Sequence, residues 1–185
     1  AAFEACDTVD NHGWRLGAVN TLVIRDGRIH GSNTDGIGFL NNLRQGATAW
    51  QPEQGPAVVL GAGGTARAVI VALLDAGVSE IRLVNRTEAK AAALAEAFGG
   101  PLGVHRWGAW QDVLADAALL INTTSLGMTG QPPLEIDLRA LQTKAVVNDI
   151  VYQPLETPLL SQARQRGNTV VDGLGMLLHQ AVPGF

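Results

Sequence analysis

The chain is short of cysteine, of charged residues and of long apolar runs, and each shortage excludes a class of protein. Its single cysteine, Cys6, rules out an internal disulfide and is typical of a reducing, cytoplasmic compartment. Charged residues make up 16% of the chain and the net charge is −4, so no basic surface for nucleic acid is expected. No apolar run approaches the roughly 20 residues of a membrane helix. We also expect no signal peptide, because the first residues lack a basic region followed by an apolar one.

The composition that remains favours a buried sheet with many tight turns. Hydrophobic residues make up 46% of the chain, and there are 22 glycines. A length of 185 residues accommodates one domain together with part of another. Because the sequence begins without methionine and part-way into an amphipathic pattern, we expect it to be a piece of a longer protein.

The first part of the chain predicts a small mixed unit. Apolar spacing predicts a helix over Ala2–Leu16 that ends at Gly17. Residues 18–24 and 29–31 are expected to form a hairpin around a turn at 25–28. The segment 32–35 offers several N-cap candidates for the helix that follows.

From residue 57 onwards, short apolar strands alternate with helices. The strands are predicted near 57–60, 80–84, 102–106, 118–122, 145–149 and 169–171, and the helices near 64–77, 87–98, 109–115, 156–166 and 174–181. This alternation predicts an α/β fold with a doubly wound parallel sheet of Rossmann type. Ligands of such sheets bind beyond the carboxyl ends of the strands, where the candidate residues below are found.

A glycine turn joins the first of these strands to its helix. Gly61, Gly63 and Ala66 match the G-x-G-x-x-G/A pattern of dinucleotide sites. The first glycine permits the tight turn, the second lets a pyrophosphate approach the backbone, and the alanine lets the helix lie close to the sheet. Glycines often do no more than end a strand, but here the strand before and the helix after support a cofactor site.

The end of the second strand indicates which dinucleotide is bound. An NAD site usually has Asp or Glu there, whereas this strand ends in Asn85, Arg86 and Thr87. A guanidinium suits a phosphate monoester, and Lys90 adds charge one turn later. The alternative is that Arg86 is a solvated strand-end residue and Thr87 a helix cap. Together with the glycine turn, these residues predict NADP.

Seven stretches of the sequence resemble those of the shikimate dehydrogenases, in the same order and with the same spacing. They are residues 17–21, 33–36, 61–66, 85–87, 122–128, 149–152 and 172–181. The resemblance implies NADPH-dependent reduction of 3-dehydroshikimate to shikimate, on the route to chorismate and the aromatic amino acids. It also implies a substrate-domain remnant over 1–34, an NADP domain over 35–172, and over 173–185 the start of a helix that returns to the substrate domain.

The resemblance also assigns roles to individual residues. The cofactor residues it implies are Gly61, Ala62, Gly63, Gly64 and Thr65 at the pyrophosphate, Asn85, Arg86, Thr87 and Lys90 at the 2′-phosphate, Thr124 and Ser125 beside the cofactor, and Ile150, Gly173 and Met176 at the nicotinamide. Many relatives carry arginine where this chain has Lys90, which keeps the charge and loses the planar fork. The substrate residues it implies are Asn20, Asp35, Tyr152 and Gln180, with Asp35 as the carboxylate of a catalytic Lys–Asp pair.

The lysine of that pair is expected just before Ala1, and the family's serine-rich substrate motif is also missing. We therefore expect the 185-residue chain to bind NADP(H) and to turn over slowly or not at all. Two rival functions are a quinate/shikimate dehydrogenase of the same family, with NAD or NADP as its cofactor, and a non-catalytic NADP-binding module. The predicted partner is a small-molecule substrate, with no nucleic acid and no membrane; unpaired sheet edges allow a homodimer.

Several of these residues also have purely structural interpretations. Asn20 is the kind of residue that satisfies backbone groups at a strand end, Asp35 is suited to a helix cap, and 122–125 suits a polar turn. His179 is interpreted as a packing or surface residue. The other histidines show no metal-ligand spacing, so no metal is predicted.

Overall fold

The computed structural model describes residues 2–184, which form two sheets and the helices that cover them. The strands are β1 Thr8–Val9, β2 Thr21–Arg25, β3 Arg28–Ser32, β4 Ala57–Leu60, β5 Ile81–Asn85, β6 Leu102–Arg106, β7 Leu119–Asn122, β8 Val146–Asp149 and β9 Thr169–Val171. The helices are α1 Asn11–Leu16, α2 Asp35–Gly46, α3 Gly64–Asp75, α4 Glu88–Phe98, α5 Trp110–Leu114, α6 Pro158–Gln165 and α7 Leu174–Ala181. Across residues 2–184, every helix is too short or too polar to serve as a membrane span.

The larger sheet has six parallel strands in the order β6-β5-β4-β7-β8-β9. The chain builds outward from β4 in one direction, then returns to build outward from β7 in the other. In sheets of this kind the crevice between the two directions is where ligands bind. The predicted Rossmann-type α/β fold is confirmed, and the predicted strands and helices from residue 57 onwards differ from the observed ones by only a few residues.

Both faces of this sheet are buried, which explains its nearly continuous apolar strands. All four residues of β4, β7 and β8 are buried. Val59 and Ile121 pack with Phe39 of α2 and Val69 of α3, whereas the alternate strand residues such as Val58 pack against the opposite helical layer. Because the six strands are parallel, their carboxyl ends lie at the same edge of the sheet, between the two helical layers.

The smaller sheet has the order β1-β3-β2 and corrects the prediction for the first residues. The helix predicted over Ala2–Leu16 forms only over 11–16. Thr8–Val9 is instead a strand that pairs in parallel with β3, and the Asp7 carboxylate accepts a hydrogen bond from the Ile29 N–H at 2.7 Å. Asp10 then caps α1 by accepting from the Gly13 N–H at 2.7 Å. Long-range pairing therefore prevails over the local apolar spacing. The predicted hairpin turn and the helix end at Gly17 are confirmed.

Helices α2 and α7 pack closely, and their contact positions one side of the site. A Cβ added to Gly38 of α2 would lie 2.8 Å from Gln180 Cβ and 2.9 Å from the Met176 carbonyl oxygen. One added to Gly175 of α7 would overlap the Asn42 side-chain oxygen. Only glycine permits this approach, which brings the end of α7 beside the start of α2. The division of the chain at residues 34 and 172 stays a prediction.

Candidate active site

The turn after β4 leaves an open cradle at the start of α3. Gly61 has a φ of 107°, and a Cβ there would lie 2.8 Å from Thr123 Oγ1, so only glycine fits. Gly63 caps α3, and a Cβ on Gly63 or Gly64 would meet nothing within 4 Å. Ala66 is fully buried against the sheet. Free space, exposed N–H groups and the positive end of a 12-residue helix fit the phosphates of a dinucleotide.

The end of β5 presents two cations. Asn85 donates a hydrogen bond from Nδ2 to the Thr87 carbonyl at 2.8 Å, which holds the loop in shape. Arg86, Thr87 and Lys90 are exposed, and the part of the chain that the structure describes provides no ion pair to Arg86 or Lys90. With no carboxylate at 85–87, this loop suits a phosphate better than a ribose hydroxyl pair.

The loop after β8 is held by a buried carboxylate. Asp149 is fully buried; its Oδ1 accepts from Asn122 Nδ2 at 2.9 Å and from the Val151 N–H at 3.1 Å. Its Oδ2 accepts from Thr157 Oγ1 at 2.7 Å. Burial raises the pKa of Asp149 to about 6, and these three donors offset part of that rise.

The loop after β7 is held by Asn122, the residue that donates to Asp149. Asn122 Oδ1 accepts from the Thr124 N–H at 3.0 Å and from Thr124 Oγ1 at 2.7 Å, and Asn122 Nδ2 also donates to the Leu126 carbonyl at 3.1 Å. Thr124 Oγ1 in turn accepts from the Leu126 N–H at 3.1 Å. The polar turn interpretation is thus correct as local geometry, and it is compatible with a site because Thr124 and Ser125 face a cavity.

Asp35 is the first residue of α2, and the N-cap position belongs to Thr34. The Thr34 hydroxyl makes no cap bond because it lies 2.8 Å from the Gln180 carbonyl oxygen, which accepts from it, and 3.1 Å from Asn20 Oδ1. Asn20 donates from Nδ2 to Asp35 Oδ1 at 2.8 Å and accepts the Thr34 N–H at 3.0 Å. The pKa of Asp35 is raised by burial and lowered to a lesser extent by the Asn20 hydrogen bond.

Two adjoining cavities of about 190 and 320 Å³ bring half of the predicted site residues together. They share Thr65, Ile150 and Tyr152. The smaller is also lined by Asp35, Gly173, Met176, Leu177 and Gln180, and the larger by Thr123, Thr124, Ser125, Met128, Val151 and Gln153. Asn20 joins this group through Asp35, whereas residues 61–64 of the glycine cradle and the four predicted residues at the end of β5 line neither cavity. Carboxylate, amide and phenol groups therefore line one cleft together with the apolar Ile150 and Met176.

A further cavity of about 430 Å³ lies at the opposite edge of the sheet, beside Trp50, Lys144 and Val146. Lys144 is the one charged side chain among its lining residues, and none of the predicted site residues borders it. We therefore place the candidate site at the carboxyl edge. His179 makes a 2.7 Å hydrogen bond with Gln45 outside the cavities, which agrees with a packing role.

Sequence reasoning misses the supporting contacts of the site. Asn122 and Asp149 stand out in the sequence only as members of motifs, and neither Thr34 nor Thr157 is distinguished there from an ordinary residue at a helix start. A usable signal is nevertheless present, because Asn122 and Asp149 each end a buried apolar strand of the same sheet.

The stability of the chain is expected to fall as the pH rises through the pKa of Asp149. That pKa, about 6, lies above the ordinary 3.8, so between these values the folded chain keeps a proton that the unfolded chain releases. The stabilisation is complete below about pH 4 and is lost as the pH passes 6, with about 3 kcal/mol as its upper bound. Urea denaturation between about pH 4.5 and 7.5 measures it. D149N should lack this component; an identical pH dependence in parent and variant would contradict the assignment.

Known proteins are similar to this chain in sequence and in fold. The family profile described as Shikimate / quinate 5-dehydrogenase matches residues 47–129. A shikimate dehydrogenase (NADP(+)) of Paramagnetospirillum magneticum is 59% identical over 186 residues, covering 100% of this chain and 67% of that protein. One from Roseobacter denitrificans is 56% identical with the same coverage. The chain thus spans about two thirds of the length of these relatives.

Solved structures agree in fold. Shikimate 5-dehydrogenase from Thermus thermophilus, in complex with NADP(H) and shikimate, superimposes with a TM-score of 0.86 at 38% identity, covering 100% of this chain and 67% of that one. Quinate dehydrogenase from Corynebacterium glutamicum, in complex with NAD, gives a TM-score of 0.88 at 34% identity, covering 97% and 65%. The sequence match extends along the whole of this chain and the folds agree, so the chain belongs to the shikimate dehydrogenase family.

Proposed function

We propose that this chain binds NADP(H) and carries most of a site for the reversible reduction of 3-dehydroshikimate to shikimate. The observation that carries the proposal is the cleft that Asp35, Tyr152 and Gln180 line together with Ile150 and Met176. It opens beside Thr65, the first residue after the glycine cradle. The names of the relatives at 56% and 59% identity support shikimate and NADP over quinate and NAD.

The polar residues of the cleft suit a ring that carries several hydroxyl groups. Asn20 and Asp35 are held together by a hydrogen bond, so they present donor and acceptor atoms at a fixed separation. Gln180 adds an amide group from α7, beside the start of α2, and Tyr152 adds a hydroxyl group from the loop after β8. Bound NADPH would supply a hydride to the substrate ketone, and Ile150, Gly173 and Met176 would form the apolar wall against its nicotinamide.

Asp35 is the group proposed to take part in proton transfer. A ketone that accepts a hydride must gain a proton at its oxygen, and a positioned acid–base pair speeds that step. Within residues 2–184, Asp35 forms no ion pair, and its side chain is bonded to Asn20 alone. The lysines of the sequence are Lys90 and Lys144, and neither lines the cleft. We therefore propose that the 185-residue polypeptide binds NADP(H) but turns over slowly.

Binding and turnover test the two parts of the proposal separately. Fluorescence titration should show tighter binding of NADPH than of NADH, and failure to bind either would refute the cofactor assignment. Oxidation of shikimate and of quinate with NADP⁺ should be far slower than that of the full-length P. magneticum relative, assayed in parallel. A rate within about tenfold of that control would refute the proposed impairment and leave the cofactor result standing.

Self-association and a cytoplasmic location stay predictions. Leu22 and Ile24 on β2, at one edge of the smaller sheet, are 51% and 74% exposed, which supports pairing with a second chain. Sedimentation velocity would show whether a dimer forms.

A further inference from the structure

We propose that Asp149 is a positioning residue for the nicotinamide end of the cofactor. Its carboxylate joins the loop after β7 to the loop after β8, and so sets the width of the cleft between them. The inference deepens the proposed function and rests on it, because the cleft is taken to hold the nicotinamide half of NADP(H).

The contacts of Asp149 reach both walls of the cleft. Through Oδ1 it holds the Val151 N–H, so the Ile150–Tyr152 backbone leaves β8 in a fixed direction. The same oxygen also accepts from Asn122 Nδ2. The other side-chain atom of Asn122, Oδ1, accepts from the Thr124 N–H. Ile150 and Tyr152 line both cavities, whereas Thr124 lines the larger one.

The second carboxylate oxygen adds a third element. Oδ2 accepts from Thr157 Oγ1, and Thr157 is the N-cap of α6, where it accepts from the Leu160 N–H at 3.3 Å. Both oxygens of one buried carboxylate are thus shared among two loops and a helix start. Since buried hydrogen bonds to a charged group are among the stronger ones, removing the carboxylate releases all three elements together.

This arrangement lies at one end of the site only. The glycine cradle and the Arg86 loop are held by other contacts, namely the bond from the Gly61 N–H to the Val84 carbonyl at 2.8 Å and the Asn85–Thr87 bond. A loss of Asp149 should therefore affect the nicotinamide end of a bound dinucleotide and spare the adenosine end.

Asn168 supplies a matched control for a purely structural role. It is also buried, and its Nδ2 donates to the carbonyl oxygens of Gln142, Thr143 and Ala145 at 2.8, 3.2 and 2.9 Å. These carbonyls precede β8, so Asn168 organises the amino edge of the strand that ends in Asp149. Asn168→Ala should destabilise the chain without altering the cleft.

The experiment compares two probes at about pH 8, where the Asp149 carboxylate is ionised: NADPH, and adenosine 2′,5′-bisphosphate, which lacks the nicotinamide half. For Asp149→Ala we expect about a tenfold or greater loss of NADPH affinity and a change within about twofold for the bisphosphate. Asp149→Asn keeps Oδ1 as an acceptor, and its amide faces Thr157 Oγ1, so it should recover most of the NADPH affinity. Asn168→Ala should lower the melting temperature and leave both affinities unchanged.

Other outcomes overturn the inference. These are an equal loss for both probes, no loss for NADPH, or the same selective loss in Asn168→Ala. If Asp149→Ala does not fold, Thr157→Val removes the Oδ2 contact at nearly constant volume. The loss of NADPH affinity relative to bisphosphate affinity in that variant then tests the proposal. If the unaltered chain binds neither probe, the proposed function itself fails. If it binds both and Asp149→Ala behaves like the parent, only the positioning role fails.

Discussion

Replacing Arg86 with alanine is expected to weaken NADPH binding by about 100-fold and to leave NADH binding nearly unchanged. The guanidinium is exposed at the end of β5 and has no ion-pair partner among the described residues, so it is free to bind a phosphate in bidentate fashion. Hydrogen bonds between charged groups contribute roughly 1.5–3 kcal/mol each, and about 1.4 kcal/mol corresponds to a factor of ten. NADH lacks the 2′-phosphate and makes no such bonds.

Fluorescence titration of both cofactors measures this selectivity. Arg28→Ala, at the start of β3, removes the same charge from an exposed position outside the site and should alter neither affinity. Lys90→Ala should cost less than Arg86→Ala, because an ammonium offers no planar fork. An equal loss for NADPH and NADH in Arg86→Ala would show that Arg86 does not discriminate between them.

Two glycines of the site are expected to respond in opposite ways to the addition of a methyl group. A Cβ on Gly173 would collide with the carbonyl group of Ile150, which is backbone and has no rotamer to relieve the overlap. We expect Gly173→Ala to lower the free energy of unfolding by about 3 kcal/mol or more. That is a large share of the roughly 5–15 kcal/mol of a typical domain.

Gly63→Ala should instead leave the fold intact. Its φ is −91° and an added Cβ meets nothing within 4 Å, so the methyl group is accommodated without strain. If the pyrophosphate approaches the backbone there, the same methyl group should lower NADPH affinity by about tenfold or more. Urea denaturation and NADPH titration of both variants provide the two measurements. A stable Gly173→Ala, or a Gly63→Ala with parental affinity, would contradict the respective expectation.

Local pattern is sufficient to predict most of the larger sheet. The central strands β4, β7 and β8 are short runs buried on both faces, and the helices of this sheet carry their own apolar faces. These signals depend on neighbouring residues, so they are legible in one sequence. The glycine turn belongs to the same class, since Gly61 needs its positive φ whatever else surrounds it.

The first residues show where local pattern fails. Spacing of apolar side chains favours a helix over Ala2–Leu16, but Thr8 and Val9 gain backbone hydrogen bonds from β3, whose paired residues His30 and Gly31 lie far along the chain. Asp10 then caps the helix, which therefore begins only at Asn11. A helix pattern of this length is outweighed once an unpaired strand edge is available beside it.

By itself the sequence determined the α/β class, the strands of the larger sheet, the glycine cradle and the presence of two cations after β5, because each depends on a short run of residues. Only the tertiary structure decided that Thr34 binds the carbonyl of Gln180, 146 residues away, and that Asp149 holds two separate loops. Such contacts depend on which strand ends and helix ends meet in space. That arrangement follows from the order of the strands and from the close packing of α2 on α7, neither of which is encoded in any single segment.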